Sequence, residues 1–491
     1  MGSEVGGGGA GRDADGWNLP TKYLPGVESR DVPEPLSLGK VVGASVVILA
    51  TALGSGELII WPYITSQVGI GLLWLAVVGF TMQYFLNMEI ERYTLATGET
   101  AVTGFTRFWK PWGLIFVLGA ILPNAWPGWA AGGATLMTYV FGLAEGAVPV
   151  LAAIALVAFV LALTLSPVVY QVLEKIQMVL VAVIVVFLIT AIIIATDLGV
   201  WTGIVTQAPS GVANFPSFLG QLGIATVLGA IAFAGAGGAN NLTQSNYVRD
   251  KGLGMGERMP KVVSPITGEE EARASLGYTF PITEENMRRW RWWKVANQEQ
   301  IVIFYLIGLL TLVGLSVLTF TALGRETGVE GDFTFLQRVA AGLGDRIGTW
   351  FQYFYLIAGT VVLFSTSLGV MDYVARLTAS ELKVSFFSRS EKVTESRIYF
   401  AAAWLIAILG SLILLAGFQQ PLVLLIIAAS GGGVVMALYS VMLIVLNTRA
   451  LPEPIRLKGW RLYVMAITAV FFLFFSVLLV YDVFMTNLFG G

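Results

Sequence analysis

Eleven apolar runs of about twenty residues or more set the limits on this fold. They lie near 41–64, 69–92, 112–141, 147–166, 170–196, 218–247, 299–322, 349–376, 397–417, 421–447 and 462–485. Each is long enough to cross the hydrocarbon of a bilayer as a helix. A chain inside lipid must satisfy its own backbone, so unbroken apolar runs of this length read as helices rather than strands. The expected fold is an all-α polytopic membrane protein with about eleven transmembrane helices. Composition agrees: 56% of residues are hydrophobic and 12% charged, about half the charged share of a soluble domain.

Basic residues orient the spans. With the N-terminus on the cytoplasmic side, 26 of the 29 Lys and Arg fall in cytoplasmic segments, and only Arg325, Arg338 and Arg346 lie outside. The positive-inside rule therefore predicts a cytoplasmic N-terminus and, with an odd number of spans, an extracellular C-terminus in the cell membrane. Residues 1–40 are polar and rich in Gly and Pro, and read as a disordered cytoplasmic tail. Spans one to five (41–196) and six to ten (218–447) form two candidate five-helix halves running in opposite directions, and 462–485 adds an eleventh helix. Residues 249–298 form a polar insertion ending in Arg288-Arg-Trp-Arg-Trp-Trp-Lys294. That run reads as an interfacial anchor against anionic lipid, and nothing in the chain points to nucleic acid.

Within the first span, Glu57 sits at mid-depth behind Gly54, Ser55 and Gly56. An intramembrane carboxylate is expensive to keep and marks a functional position by default. The sixth span repeats the theme, with Ala236, Gly238 and other small residues preceding the carboxamides Asn240 and Asn241. Paired interruptions in corresponding spans of two halves point to a central solute site. Both spans are expected to be broken there, with carbonyls of Ala52 and Ala236 among the loosened backbone. Gln83, Asn87 and Asn124 are polar enough to line a path and equally suited to bonds between helices. Asp372, with Glu89 and Glu91, reads as a helix-end or gate residue. The cluster Gly431–Gly433 reads as close packing.

The chain has no Cys and no His. Thiolate and imidazole ligands, the usual general base and the usual proton relay are therefore excluded. No constellation for an intramembrane enzyme remains, no cofactor is expected, and a metal would be held by oxygen alone.

These residues resemble the Nramp family of metal-ion transporters, which have the LeuT-type fold of two inverted five-helix repeats with broken first and sixth helices. Gly54-Ser55-Gly56-Glu57 stands where that family has Asp-Pro-Gly-Asn, and Gly238-Ala239-Asn240-Asn241 where it has Met-Pro-His-Asn. The stretch from Met82-Gln83 through Arg92-Tyr-Thr-Leu-Ala-Thr-Gly98, and Val370-Met371-Asp372, are also similar. The resemblance implies a metal site in which Gly54 replaces the family's Asp, Glu57 its Asn ligand, Gly238 its Met and Asn240 its His, while Asn241 is kept. It also implies proton coupling, whose Asp and His positions are absent here.

Without the thioether, the remaining donors are hard oxygens, with Glu57 and Asn241 as the expected metal ligands. They suit a partly hydrated Mg²⁺ or Mn²⁺. The expected function is secondary transport of such a cation by alternating access, the binding partners being the cation and the lipid bilayer. An amine or amino-acid transporter on the same scaffold is the alternative, since Glu57 would accept any cationic or zwitterionic solute. No oligomeric state follows from the sequence.

Overall fold

The computed structural model describes residues 12–489 except 126, 265–275, 326–332 and 418–420. Nine helices among the described residues are long and apolar enough to cross a membrane. Together with a divided third and a divided sixth span they reproduce the eleven expected segments, in a polytopic LeuT-type architecture. The third span comes as two helices, Pro111–Ile121 and Gly128–Phe141, rather than the single run expected. The intervening sequence carries Pro123 and Pro127, which deny the helix two backbone donors.

The first span runs unbroken from Ala44 to Val68, and this corrects the expectation of an unwound segment. Its middle, Leu53–Ile60, instead widens into π-helical turns. The cause is a side chain from the eighth span (Thr349–Ser385). Thr366 Oγ1 accepts from the Gly54 amide at 2.9 Å and donates to the Ala50 carbonyl at 3.4 Å. The hydroxyl thus stands where the direct bond from residue 54 to residue 50 would close, and an inserted group of this kind distorts the ladder.

The sixth span is broken as expected. Ile224–Ala232 and Gly238–Lys251 flank an irregular stretch in which Gly235, Gly237 and Gly238 all have positive φ. Glycine alone adopts such angles freely. Gly238 also abuts Gly432 of the tenth span, where an added Cβ would lie 2.9 Å from the Gly432 Cα. That contact realises the close packing read from the glycine cluster.

The face carrying the N-terminus is covered by protein. Residues from Arg12 onward are packed, which corrects the reading of a disordered tail over the part described. Trp17, Leu24 and Val32 are buried. Trp17 Nε1 donates to the Phe280 carbonyl at 2.9 Å, the Asn18 amide to Ala450 at 3.0 Å, and Arg107 to Pro25 at 2.9 Å. Glu28–Ser29 pairs in parallel with Tyr278–Thr279. The aromatic residues of the basic run pack into the same layer, while Arg288, Arg291 and Lys294 stay exposed. Trp292 is fully buried and donates to the Pro33 carbonyl, while Trp293 lies beneath Arg92 and Arg461. Residues 1–11 of the tail and 265–275 of the insertion lie outside the described residues.

Candidate functional site

The first span meets the sixth where each departs from α-helical geometry. Gly56 faces the break so closely that a Cβ there would sit 1.5 Å from the Phe233 carbonyl oxygen. One residue on, Glu57 is fully buried and neither of its carboxylate oxygens has a hydrogen-bond partner. The backbone amides of Glu57 and Gly235 face the carboxylate without closing a bond to it. Buried carboxylates are ordinarily paired or hydrogen-bonded, and one left without a partner at this depth is a candidate functional position.

The break in the sixth span is held by one side chain from the second (Trp74–Thr97). Gln83 Nε2 donates to the carbonyls of Ala232 at 2.8 Å and Ala234 at 2.7 Å. Its Oε1 accepts from the Gly237 amide at 3.0 Å. Gln83 therefore substitutes for the interrupted backbone ladder, which resolves its sequence-level ambiguity toward an interhelical bond. Asn241 Nδ2 donates to Asn87 Oδ1 at 2.8 Å and more weakly to Gln83 Oε1 at 3.3 Å. The carboxamide oxygens of Asn240 and Asn241 remain buried without a donor. These are free hard-oxygen acceptors beside the same break.

Other expected donors are engaged. The Ala52 carbonyl accepts from Ser55 Oγ at 3.0 Å, and Ala236 accepts from Asn240 Nδ2 at 3.5 Å. Asn124, at the division of the third span, lines a separate cavity of about 30 Å³ with Trp129, Ser367 and Met371. Asp372 is locked into a buried network, accepting from Arg376 at 2.7 Å, Tyr399 at 2.6 Å and Tyr247 at 3.1 Å. Arg376 also pairs with Asp250, and Arg249 bridges Asp250 and Glu395 at 2.8 and 2.7 Å. This network ties the sixth, eighth and ninth spans together at the N-terminal face. Thr366 and Phe233 went unrecognised in the sequence, where a lone Thr or Phe in an apolar helix carries no signal.

Among the described residues no three His, Cys, Asp or Glu converge. A metal here would rest on one carboxylate plus neutral oxygens, and the unpaired atoms of Glu57, Asn240 and Asn241 are of that kind.

Fold and site together define a multi-pass membrane protein of the LeuT type with a carboxylate at the meeting of its two distorted spans. A manganese transporter from Eremococcus coleocola, solved with an aromatic bis-isothiourea compound, matches at a TM-score of 0.63 with 12% identity, over 96% of this chain and 92% of that one. A mutant of that transporter matches at 0.65 with 14% identity over the same shares. MhsT, solved with L-phenylalanine, matches at 0.53 with 16% identity, over 91% and 100%. No protein-family model matches the sequence, and no curated protein matches it. At these identities the likeness carries the fold, and function must come from the site.

Proposed function

We propose that the chain is a secondary transporter that moves a hard divalent cation, Mg²⁺ or Mn²⁺, by alternating access, with its N-terminal face toward the cytoplasm. The observation that carries this reading is that Glu57, Asn240 and Asn241, in the two distorted spans, are buried with carboxylate and carboxamide oxygens that have no partner. A carboxylate with neutral oxygens matches the ligand chemistry of Mg²⁺ and Mn²⁺. The fold shared with a manganese transporter supports it. The positive-inside distribution of basic residues supports the orientation. Opening toward the cytoplasm would then require the buried Arg249, Arg376, Asp250 and Asp372 network to part.

Two of the amides that could receive a substrate carboxylate are already taken. Gly54 donates to Thr366 and Gly237 to Gln83. This weighs against an amino acid bound through its carboxylate. An organic amine is the second reading, favoured by the rings of Phe233 and Phe304, which approach Gly237 and Gly235 and would face an ammonium group. Uptake of Mg²⁺ and Mn²⁺ into proteoliposomes separates the two. Divalent flux that disappears in Glu57→Gln is expected. Undiminished flux in that variant removes Glu57 from the site. Stabilisation by amines without any divalent flux selects the second reading.

A further inference from the structure

The second span carries a polar stripe at four-residue spacing, Gln83, Asn87 and Glu91, so these side chains lie along one helix face. The first two serve the sixth span near the central site. Glu91 lies two turns from Gln83, toward the N-terminal face, and meets a separate pair of carboxamides. Its Oε1 accepts from Gln244 Nε2 of the sixth span at 2.6 Å and from Gln300 Nε2 of the seventh (Glu284–Leu323) at 2.9 Å. Glu91 Oε2, Gln244 Oε1 and Gln300 Oε1 have no partner. All three residues are at most 2% exposed.

The amide orientation is dictated by chemistry. When Glu91 is ionised its carboxylate only accepts, so each glutamine turns its nitrogen toward it. Each carbonyl oxygen is thereby kept within an amide's width of the carboxylate and left without a donor. Among the described residues no basic side chain pairs with Glu91. Arg92 and Arg461 are both committed to Glu89, at 2.6 and 3.1 Å. Glu299 is near enough to add repulsion, and its own carboxylate is occupied by the Gly43 and Ser45 amides and the Ser45 hydroxyl. Three buried, unpaired oxygens around one negative charge are costly unless a cation completes them.

We propose that Glu91, Gln244 and Gln300 form a second cation site, for Na⁺, distinct from the site at Glu57. One carboxylate and two neutral oxygens carry a single negative charge, which one monovalent ion balances. The ligands come from the second, sixth and seventh spans, so occupancy draws these three together at the N-terminal face. A coupling ion bound there would bias which face of the transporter is open.

Thermal unfolding of the purified protein in NaCl against choline chloride at equal ionic strength tests the site. A saturable rise on the order of 2 °C is expected with Na⁺. It should be absent in Glu91→Gln and retained in Glu57→Gln, which separates this site from the central one. Gln300→Leu keeps the carboxylate and removes one oxygen, and should raise the Na⁺ concentration at half-effect by about tenfold or more. This second variant carries the test if Glu91→Gln does not fold. Equal melting in Na⁺ and choline overturns the proposal. So does an Na⁺ response unchanged in both variants, or a response that follows pH and ignores Na⁺.

Discussion

Replacing Gly56 by alanine probes the contact between the first span and the broken sixth. The added Cβ would fall 1.5 Å from the Phe233 carbonyl oxygen and 2.6 Å from its carbon. A carbon and a carbonyl oxygen approach to roughly 3.3 Å, so the two backbones would have to separate by about 2 Å. Neither side can yield by a rotamer change, because the obstacle is main chain. Overpacked cores ordinarily lose about 1–3 kcal/mol, and this contact belongs at or above the upper end. Gly54→Ala meets the Thr366 hydroxyl at 2.5 Å, a side chain with some freedom, and should cost less. Gly220 has nothing within 4 Å of an added Cβ and lies in the helix Phe215–Leu222, so Gly220→Ala should gain about 0.5–1 kcal/mol. Thermal unfolding in detergent, followed by tryptophan fluorescence, should therefore rank the melting temperatures Gly220→Ala, wild type, Gly54→Ala, Gly56→Ala from highest to lowest. A Gly56→Ala protein that melts with the wild type would falsify the packing argument.

Three further outcomes follow from the same geometry. Glu57→Gln removes an unpaired buried charge and should melt no lower than wild type while losing cation uptake; a marked fall in melting temperature would show that the carboxylate has a structural partner. Gln83→Leu strands the Ala232 and Ala234 carbonyls and the Gly237 amide, at about 1–3 kcal/mol each, and should sharply lower both melting temperature and yield; a variant as stable as wild type would show that the break holds itself. At the N-terminal face, burial pushes the Glu99 carboxyl upward, but Arg107, with help from Tyr93 and the Gly277 amide, holds it below its ordinary value of 4.5. A depressed carboxyl contributes stability above its unfolded pKa and loses it as pH falls through the folded value. The melting gap between wild type and Glu99→Gln should therefore be constant above pH 4.5 and close below it, and a gap that widens on acidification would contradict the pairing.

The spans were legible because hydropathy and length are properties of single segments. Glu57 was legible because its cost depends on depth alone. The break in the sixth span was likewise visible in its glycines. In the first span, by contrast, Gly54 and Gly56 admit neighbouring groups instead of unwinding the helix. Which groups they admit, Thr366 and Phe233, is set by tertiary contact more than a hundred residues away. The four-residue spacing of Gln83, Asn87 and Glu91 places them on one helix face, but the Glu91 partners Gln244 and Gln300 depend on how the second, sixth and seventh spans meet. The N-terminal tail was misread because its average composition is polar. Three apolar anchors, Trp17, Leu24 and Val32, outweigh that average once a surface exists to receive them.

That tail has a consequence for how the molecule is made. Arg12 donates to the Leu451 carbonyl at 3.0 Å and the Asn18 amide to Ala450 at 3.0 Å. Residues ahead of the first span thus dock onto residues that follow the tenth. Such a contact cannot form until ten spans have been inserted, and it closes one of the longest loops in the chain, the slowest kind of contact to establish. This docking therefore follows synthesis of the tenth span, and protection of the Asn18 amide would report it.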